Sequence, residues 1–184
     1  RPLSAPFVFS FASFLPCQKM AQSTTKKSLQ DLLEGPIDRD NFGALAEAIY
    51  ISFRTVDEAH AEVKSLRERL DEVSGAEQND LREKLGILLY ALGDYTAAVQ
   101  QLEEVSNRKN AAHFLGRTYM ELRRMEDARA ALEKGRRGED DFETDAFLVD
   151  IQCFERDPEP AREICEKYED DHDQDPRWLY AMGR

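Results

Sequence analysis

Histidine, cysteine and tryptophan are scarce in this chain of 184 residues, which holds three, three and one of them. The cysteines, Cys17, Cys153 and Cys165, share no metal-binding spacing and form no even disulfide set. That favours a reducing, cytoplasmic setting over a secreted or periplasmic one. No glycine-rich phosphate loop, GxSxG, HExxH or paired CxxC occurs. No catalytic residue, cofactor site or metal site is therefore expected, and the chain reads as a non-enzyme. His60, His113 and His172 have no apparent serine or cysteine partner that would make a nucleophile pair. Asp171, Asp173 and Asp175 alternate as in a calcium loop. However, Pro176 stands where the turn needs glycine and Met182 where the last ligand should be Glu, so the stretch reads as a solvated loop. Basic charge is also short. The net charge of −12 argues against nucleic acid, whose phosphates must be neutralised by Lys and Arg.

Long apolar runs are missing as well. The main one, Phe7 to Leu15, falls far below the ~20 residues a membrane-spanning helix needs, so no membrane partner is expected. It lacks the small-x-small cleavage site of a secretion signal, and Pro16 before Cys17 spoils a lipoprotein signal. Arg1 is not a natural start, whereas Met20–Ala21–Gln22–Ser23 reads as one. Residues 1–23 are thus expected to be a disordered tail, with 1–19 upstream sequence or a cryptic signal and dispensable for folding.

What is present is helical periodicity. Ser28 caps a short helix that ends at Gly35–Pro36. Asp40 is the expected cap of a helix over about 41–53, with Phe42, Leu45, Ala46, Ile49, Tyr50 and Phe53 as its apolar residues. Thr55 and Glu58 have the form of a capping box. It opens a helix with Val56, Ala59, Val63, Leu66, Leu70 and Val73 on one seam. Residues 40–74 are expected to form a hairpin, ended by Gly75, that covers the first helices beyond that glycine. Residues 24–75 thus read as an N-terminal helical unit.

From 76 to 184 a unit recurs. Gly86 lies twelve residues before Ala98, and Gly116 twelve before Ala128, with the second pair thirty residues after the first. Leu85, Leu89, Leu92 and Leu102 surround the first pair. Antiparallel helices approach to ~8–10 Å only where contact residues are small, so each copy predicts a tight helix–turn–helix. Gly93 suits the left-handed end of the first helix and Asp94 the cap of the second. The second copy has Leu122–Arg123–Arg124–Met125 there, a turn without glycine. Helices are expected at about 77–92, 94–106, 109–122, 125–136, 142–156 and 158–170, with Asp157–Pro158 opening the last of them. Ala161 stands 33 residues after Ala128.

Gly86, Leu89, Ala98 and Leu102, then Gly116, Tyr119, Ala128 and Leu132, resemble the tetratricopeptide repeat family, although the period is shorter than its usual ~34. The resemblance implies an all-α, right-handed solenoid of tandem helix–turn–helix repeats over about 79–108, 109–138 and 142–174. A truncated fourth starts at 175, with Trp178 near the family's tryptophan position. It also implies a concave groove lined by the first helix of each repeat. Carried over position by position, that groove holds Asp80, Glu83, Ile87, Tyr90 and Ala91, then Asn110, His113, Arg117, Met120 and Glu121. Glu143, Ala146, Asp150, Cys153 and Phe154 complete it. Each is equally readable as an ordinary surface or inter-helix residue. Asn110 and Arg117 would suit an extended backbone or a carboxylate. The lysine and asparagine with which chaperone-binding members clamp a C-terminus are replaced by Glu83 and Ile87.

Charge is uneven. Residues 139–175 carry sixteen acidic and three basic side chains, a net of −13, so the rest sums to +1. Arg123, Arg124, Arg129, Lys134, Arg136 and Arg137 precede them. Two readings stand: solvated faces, or a surface that attracts a cationic partner segment or another copy's basic stretch. On either, neutralising Asp140, Asp141 and Glu143 should barely affect folding. The resemblance implies a non-catalytic scaffold that binds a protein segment, with self-association through the open last repeat a further expectation. The rivals are a regulatory or targeting arm of a larger enzyme continuing beyond Arg184, and a secretion chaperone.

Overall fold

The computed structural model describes residues 27–156 and 158–168. The expectations for 1–23, Met20, Asp157, the 170–175 acidic loop, His172, Trp178 and the fourth repeat lie outside them. Among the described residues the fold is all-α: nine helices and no strand. They are α1 (Leu29–Glu34), α2 (Arg39–Ile49), α3 (Phe53–Leu70), α4 (Ala76–Ala91), α5 (Tyr95–Glu104), α6 (Lys109–Glu121), α7 (Met125–Gly135), α8 (Phe142–Glu155) and α9 (Pro158–Lys167). Antiparallel pairs α4–α5, α6–α7 and α8–α9 stack in chain order, and α3 packs on α4.

Ser28 caps α1 as expected, and Asp31 returns a bond to the Ser28 amide at 2.9 Å. The next two caps differ from expectation. Asp38, not Asp40, caps α2, because Asn41 three residues on completes a reciprocal box: its Oδ1 accepts from the Asp38 amide at 3.0 Å. Ser52, not Thr55, caps α3, and Thr55 is its reciprocal partner, with each side chain accepting from the other's amide. The helix therefore begins at Phe53, which is 93% exposed and belongs to no core face.

The tight hairpins form where glycine permits them. A Cβ built on Gly86 would lie 2.6 Å from Leu102 Cγ, and one on Gly116 would lie 2.6 Å from Leu132 Cγ and 3.0 Å from the Ala128 carbonyl. Each glycine thus sits under a leucine one turn beyond the small alanine of its repeat, and both Ala98 and Ala128 are fully buried. The two turns are equivalent despite their sequences. Gly93 (φ 82°) and Arg123 (φ 60°) are both left-handed. The amides of the next residues reach back to the same places, Asp94 to the Leu89 carbonyl at 3.0 Å and Arg124 to the Tyr119 carbonyl at 2.9 Å.

One apolar core runs from Leu29 on α1 to Leu148 and Ile151 on α8. A second, within the third hairpin, gathers Ala146, Val149, Ala161, Cys165 and Tyr168. The N-terminal helices do more than cover the first repeat. Leu45 and Ile49 anchor α2 in the main core. Its N-terminal half reaches α6 through Phe42 and Phe114, and the cap of α8 through Arg39 and Asp141.

Candidate functional site

Side chains of α4, α6 and α8, the first helices of the three hairpins, meet α2. Its anchor is Arg39. The guanidinium donates from Nη1 and Nη2 to the two Asp141 oxygens at 2.8 and 2.6 Å, and from Nε to Glu143 Oε2 at 2.8 Å. The Arg39 and Asp141 side chains are 2% and 5% exposed. Asp141 is fixed from behind. It caps α8, accepts from the Arg137 amide at 2.9 Å, and takes the Thr144 hydroxyl at 2.8 Å.

Three residues after Arg39, and so on the same side of α2, Phe42 enters an aromatic cluster. Its ring centroid lies 4.9 Å from that of Phe114 and 5.6 Å from that of Tyr90. The Arg117 guanidinium stands among these rings and Phe147, between 4.7 and 5.2 Å from the four centroids. Asn110 Nδ2 donates to the backbone carbonyl of Ile37 at 2.9 Å and to Glu83 Oε1 at 2.8 Å. At the far end of α2 the Tyr50 hydroxyl donates to the Ala91 carbonyl at 2.7 Å.

The electrostatics follow from this burial. Burial alone would raise the Asp141 carboxyl, but Arg39, the Arg137 amide and Thr144 override it and hold it well below the usual carboxylate range. For Glu143, burial is likewise outweighed, by the His113 ring and Arg39, which hold the acid at about 2. His113 is fully buried at the centre, its Nε2 3.5 Å from Glu143 Oε1. Burial pushes its imidazole down from 6.5 to about 4, against the pull of Glu143. Gly135 makes that burial possible, because a Cβ there would meet the His113 amide nitrogen at 2.5 Å.

The groove residues named from sequence divide accordingly. Glu83, Tyr90, Asn110, His113 and Arg117 converge on α2 or on its partners. Asp80 and Glu83 are tied to Arg108, at 2.6 and 3.0 Å. Ile87, Ala91 and Ala146 are buried in the core and present no binding surface. At the C-terminal ends of α6 and α8, Met120, Glu121, Asp150 and Cys153 are half-buried and Phe154 is 52% exposed. Burial raises the Glu121 carboxyl, with Arg123 and Arg117 opposing, and the Arg123 guanidinium lies 5.1 Å over the Phe154 ring.

Several acids of the third hairpin are not free faces. Asp141 and Glu143 hold Arg39, and Asp145 holds Arg136 at 2.6 Å and the Tyr168 hydroxyl at 2.7 Å. Arg129 pairs with Glu155, and Arg137 reaches Asp40 at 2.8 Å. Much of the basic stretch is thus used within the chain. The expectation that Asp141 is a dispensable surface acid is overturned, since it is a buried cap.

Sequence reasoning missed Arg39, Phe42, Asp141, Phe114 and Phe147 as parts of this arrangement. One signal was available: Phe114 and Phe147 occupy the same position in successive repeats, the residue after a groove position. Among the described residues no group of His, Cys, Asp and Glu is placed to hold a metal ion. No helix among them is long and apolar enough to cross a membrane.

No family model matches the chain, and no curated protein does. Among solved structures it is similar to the Assembly Chaperone of RpL4 (Acl4), residues 1–338, with a TM-score of 0.45 and 18% identity, over 84% of this chain and 68% of that one.

Proposed function

We propose that this chain is a non-catalytic scaffold that binds a protein segment along the concave face of tetratricopeptide-like repeats. The observation that carries the reading is that side chains from α4, α6 and α8 converge on one helix, α2. They grip it by a two-point ion pair and an aromatic pocket, and Asn110 holds the Ile37 carbonyl just before its cap. A face that holds one helix by such mixed contacts has the chemistry of helix-in-groove recognition. Among the described residues, the buried His113 ring faces the Glu143 carboxylate and the Phe114 and Phe147 rings.

The test is site-specific photocrosslinking in cells. A benzoylphenylalanine at Met120 or Phe154 should trap a defined protein. The same residue at Gln100, exposed on α5, should not, and Phe154→Glu should abolish recovery in an independent pull-down. Equal trapping at Gln100, or none at either groove position, would overturn the scaffold reading.

A further inference from the structure

We infer that α2 is a resident stand-in for the partner's own helix. The concave face recognises a helical protein segment carrying arginine and, three residues later, phenylalanine, and this segment binds by exchanging with α2. The inference rests on the concave face being the binding surface.

The recognition chemistry is built on both sides. The fork of Arg39 meets the paired oxygens of Asp141 with Glu143 beside them. This planar two-point match belongs to guanidinium and is lost with lysine. Phe42, one turn on, fills the space between Phe114, Tyr90 and Arg117. A helix offering an aromatic and a cation at this spacing on one side satisfies all of them at once. The anionic side of the site is supplied by both oxygens of Asp141 and by Glu143, which meet the three donors of one guanidinium.

Leu45 and Ile49 anchor α2 in the main core, so an incoming helix must replace them too, and two other features set α2 apart from a permanent plug. First, apolar residues in place of a buried ion pair are often equally or more stabilising, so a segment meant only to fill the groove gains little from Arg39 and Asp141. The pair instead confers selectivity. Second, Gly43 sits mid-helix in α2, exposed, with nothing within 4 Å of where its Cβ would be. Glycine there weakens the helix relative to alanine without any packing requirement. The cost falls on the element that must leave for a partner to enter.

The experiment uses the full chain and a fluorescent peptide with the sequence of residues 36–51, followed by anisotropy. Arg39→Ala with Phe42→Ala in the chain should tighten peptide binding at least tenfold over the wild-type chain, because the resident no longer competes. Gly43→Ala should weaken it about fivefold by strengthening the resident. A peptide carrying Arg39→Glu should bind at least tenfold more weakly to every chain. Peptide affinity indifferent to all three changes would overturn the inference. Should the double variant fail to fold, a protease site placed after the exposed Ile51 severs α2 from the body of the wild-type chain. Displacement of the severed segment by excess peptide then supports exchange, and its retention refutes it. A concentration-dependent dimer of the wild-type chain that the peptide dissolves would assign the helix to a second copy and overturn an external partner. Persistent photocrosslinks at Phe154 with no peptide effect would sink this inference alone, whereas loss of both would sink the scaffold reading.

Discussion

Arg39 and Asp141 stand 102 residues apart in the chain and meet in a buried two-point ion pair. The pair joins the N-terminal helices to the third hairpin, so its loss should be felt across the fold. Arg39→Ala leaves a buried carboxylate uncompensated and is expected to cost about 3–5 kcal/mol, as breaking one side of a buried pair does. Asp140 is the contrast: adjacent in sequence, its side chain is 83% exposed and pairs with Lys167. Asp140→Asn should stay within about 0.5 kcal/mol. Urea unfolding of Arg39→Ala, Asp141→Asn and Asp140→Asn checks this, and equal midpoints for the two aspartate variants would refute the assignment.

The same cluster fixes the pH dependence. His113 in the folded chain titrates near 4, below its ordinary 6.5, so the folded state favours the neutral ring. Its contribution is complete above about 6.5 and fades as pH falls to 4, a span corresponding to roughly 3 kcal/mol. Asp141 and Glu143 are also depressed, so their share is present above the ordinary carboxylate range and is lost only further down. Stability should therefore decline in two stages on acidification. His113→Leu should flatten the stage between pH 6.5 and 4, weaken the Glu143 share of the lower stage that the ring supports, and leave the Asp141 share intact. A melting curve series from pH 7.5 to 3 would show it; an unaltered upper stage in the variant would mean another group titrates there.

The hairpins were legible because their cause is local. Twelve-residue spacing of small residues, capping residues and turn signals all act within thirty residues, and the helices from Ala76 onward begin and end within a few residues of expectation. The cap errors at Asp38 and Ser52 arose from adjacent candidates, where reciprocal bonds from Asn41 and Thr55 decide between near equals. The packing of α2 against α4, α6 and α8 was not legible. Arg39 looks like one more charged residue in a polar stretch, and only its distant partners make it a buried anchor. The charge pattern hides partners for the same reason: composition records Asp141, Glu143, Asp145 and Glu155 but not Arg39, Arg136 and Arg129, which fold against them.

The left-handed turns give opposite predictions at equivalent positions. Gly93 has φ 82° and open space around its Cβ, so Gly93→Ala should cost about 1 kcal/mol from backbone conformation alone. Arg123 already bears that cost at φ 60°. Arg123→Gly should relieve it and stabilise the fold by up to about 1 kcal/mol, less what the exposed contact with Phe154 contributes, with a matching rise in melting temperature. Calorimetry of both variants is the check. A loss of stability in Arg123→Gly larger than that in Phe154→Ala would show that the arginine is held there by more than the ring.

Alanine should act differently at each of three helical glycines. At Gly43 a methyl group meets nothing within 4 Å, so alanine gains its full helix preference, about 0.5–1 kcal/mol. At Gly86 the methyl lands 2.6 Å from Leu102 Cγ. The leucine must turn away within a filled core, which should more than cancel the gain and cost about 1–3 kcal/mol. At Gly135 the obstacle is the backbone of His113, with the amide nitrogen at 2.5 Å and Cα at 2.8 Å. A backbone inside α6 cannot turn aside as a side chain does, so α7 must move and carry the His113 environment with it. Gly135→Ala should be the most destabilising of the three, and it alone should raise the His113 pKa towards its ordinary value as the ring regains solvent. Histidine proton resonances followed through a pH titration separate this from simple loss of packing. A strongly destabilised Gly135→Ala whose His113 still titrates near 4 would mean that the contact holds the helices together without sealing the ring.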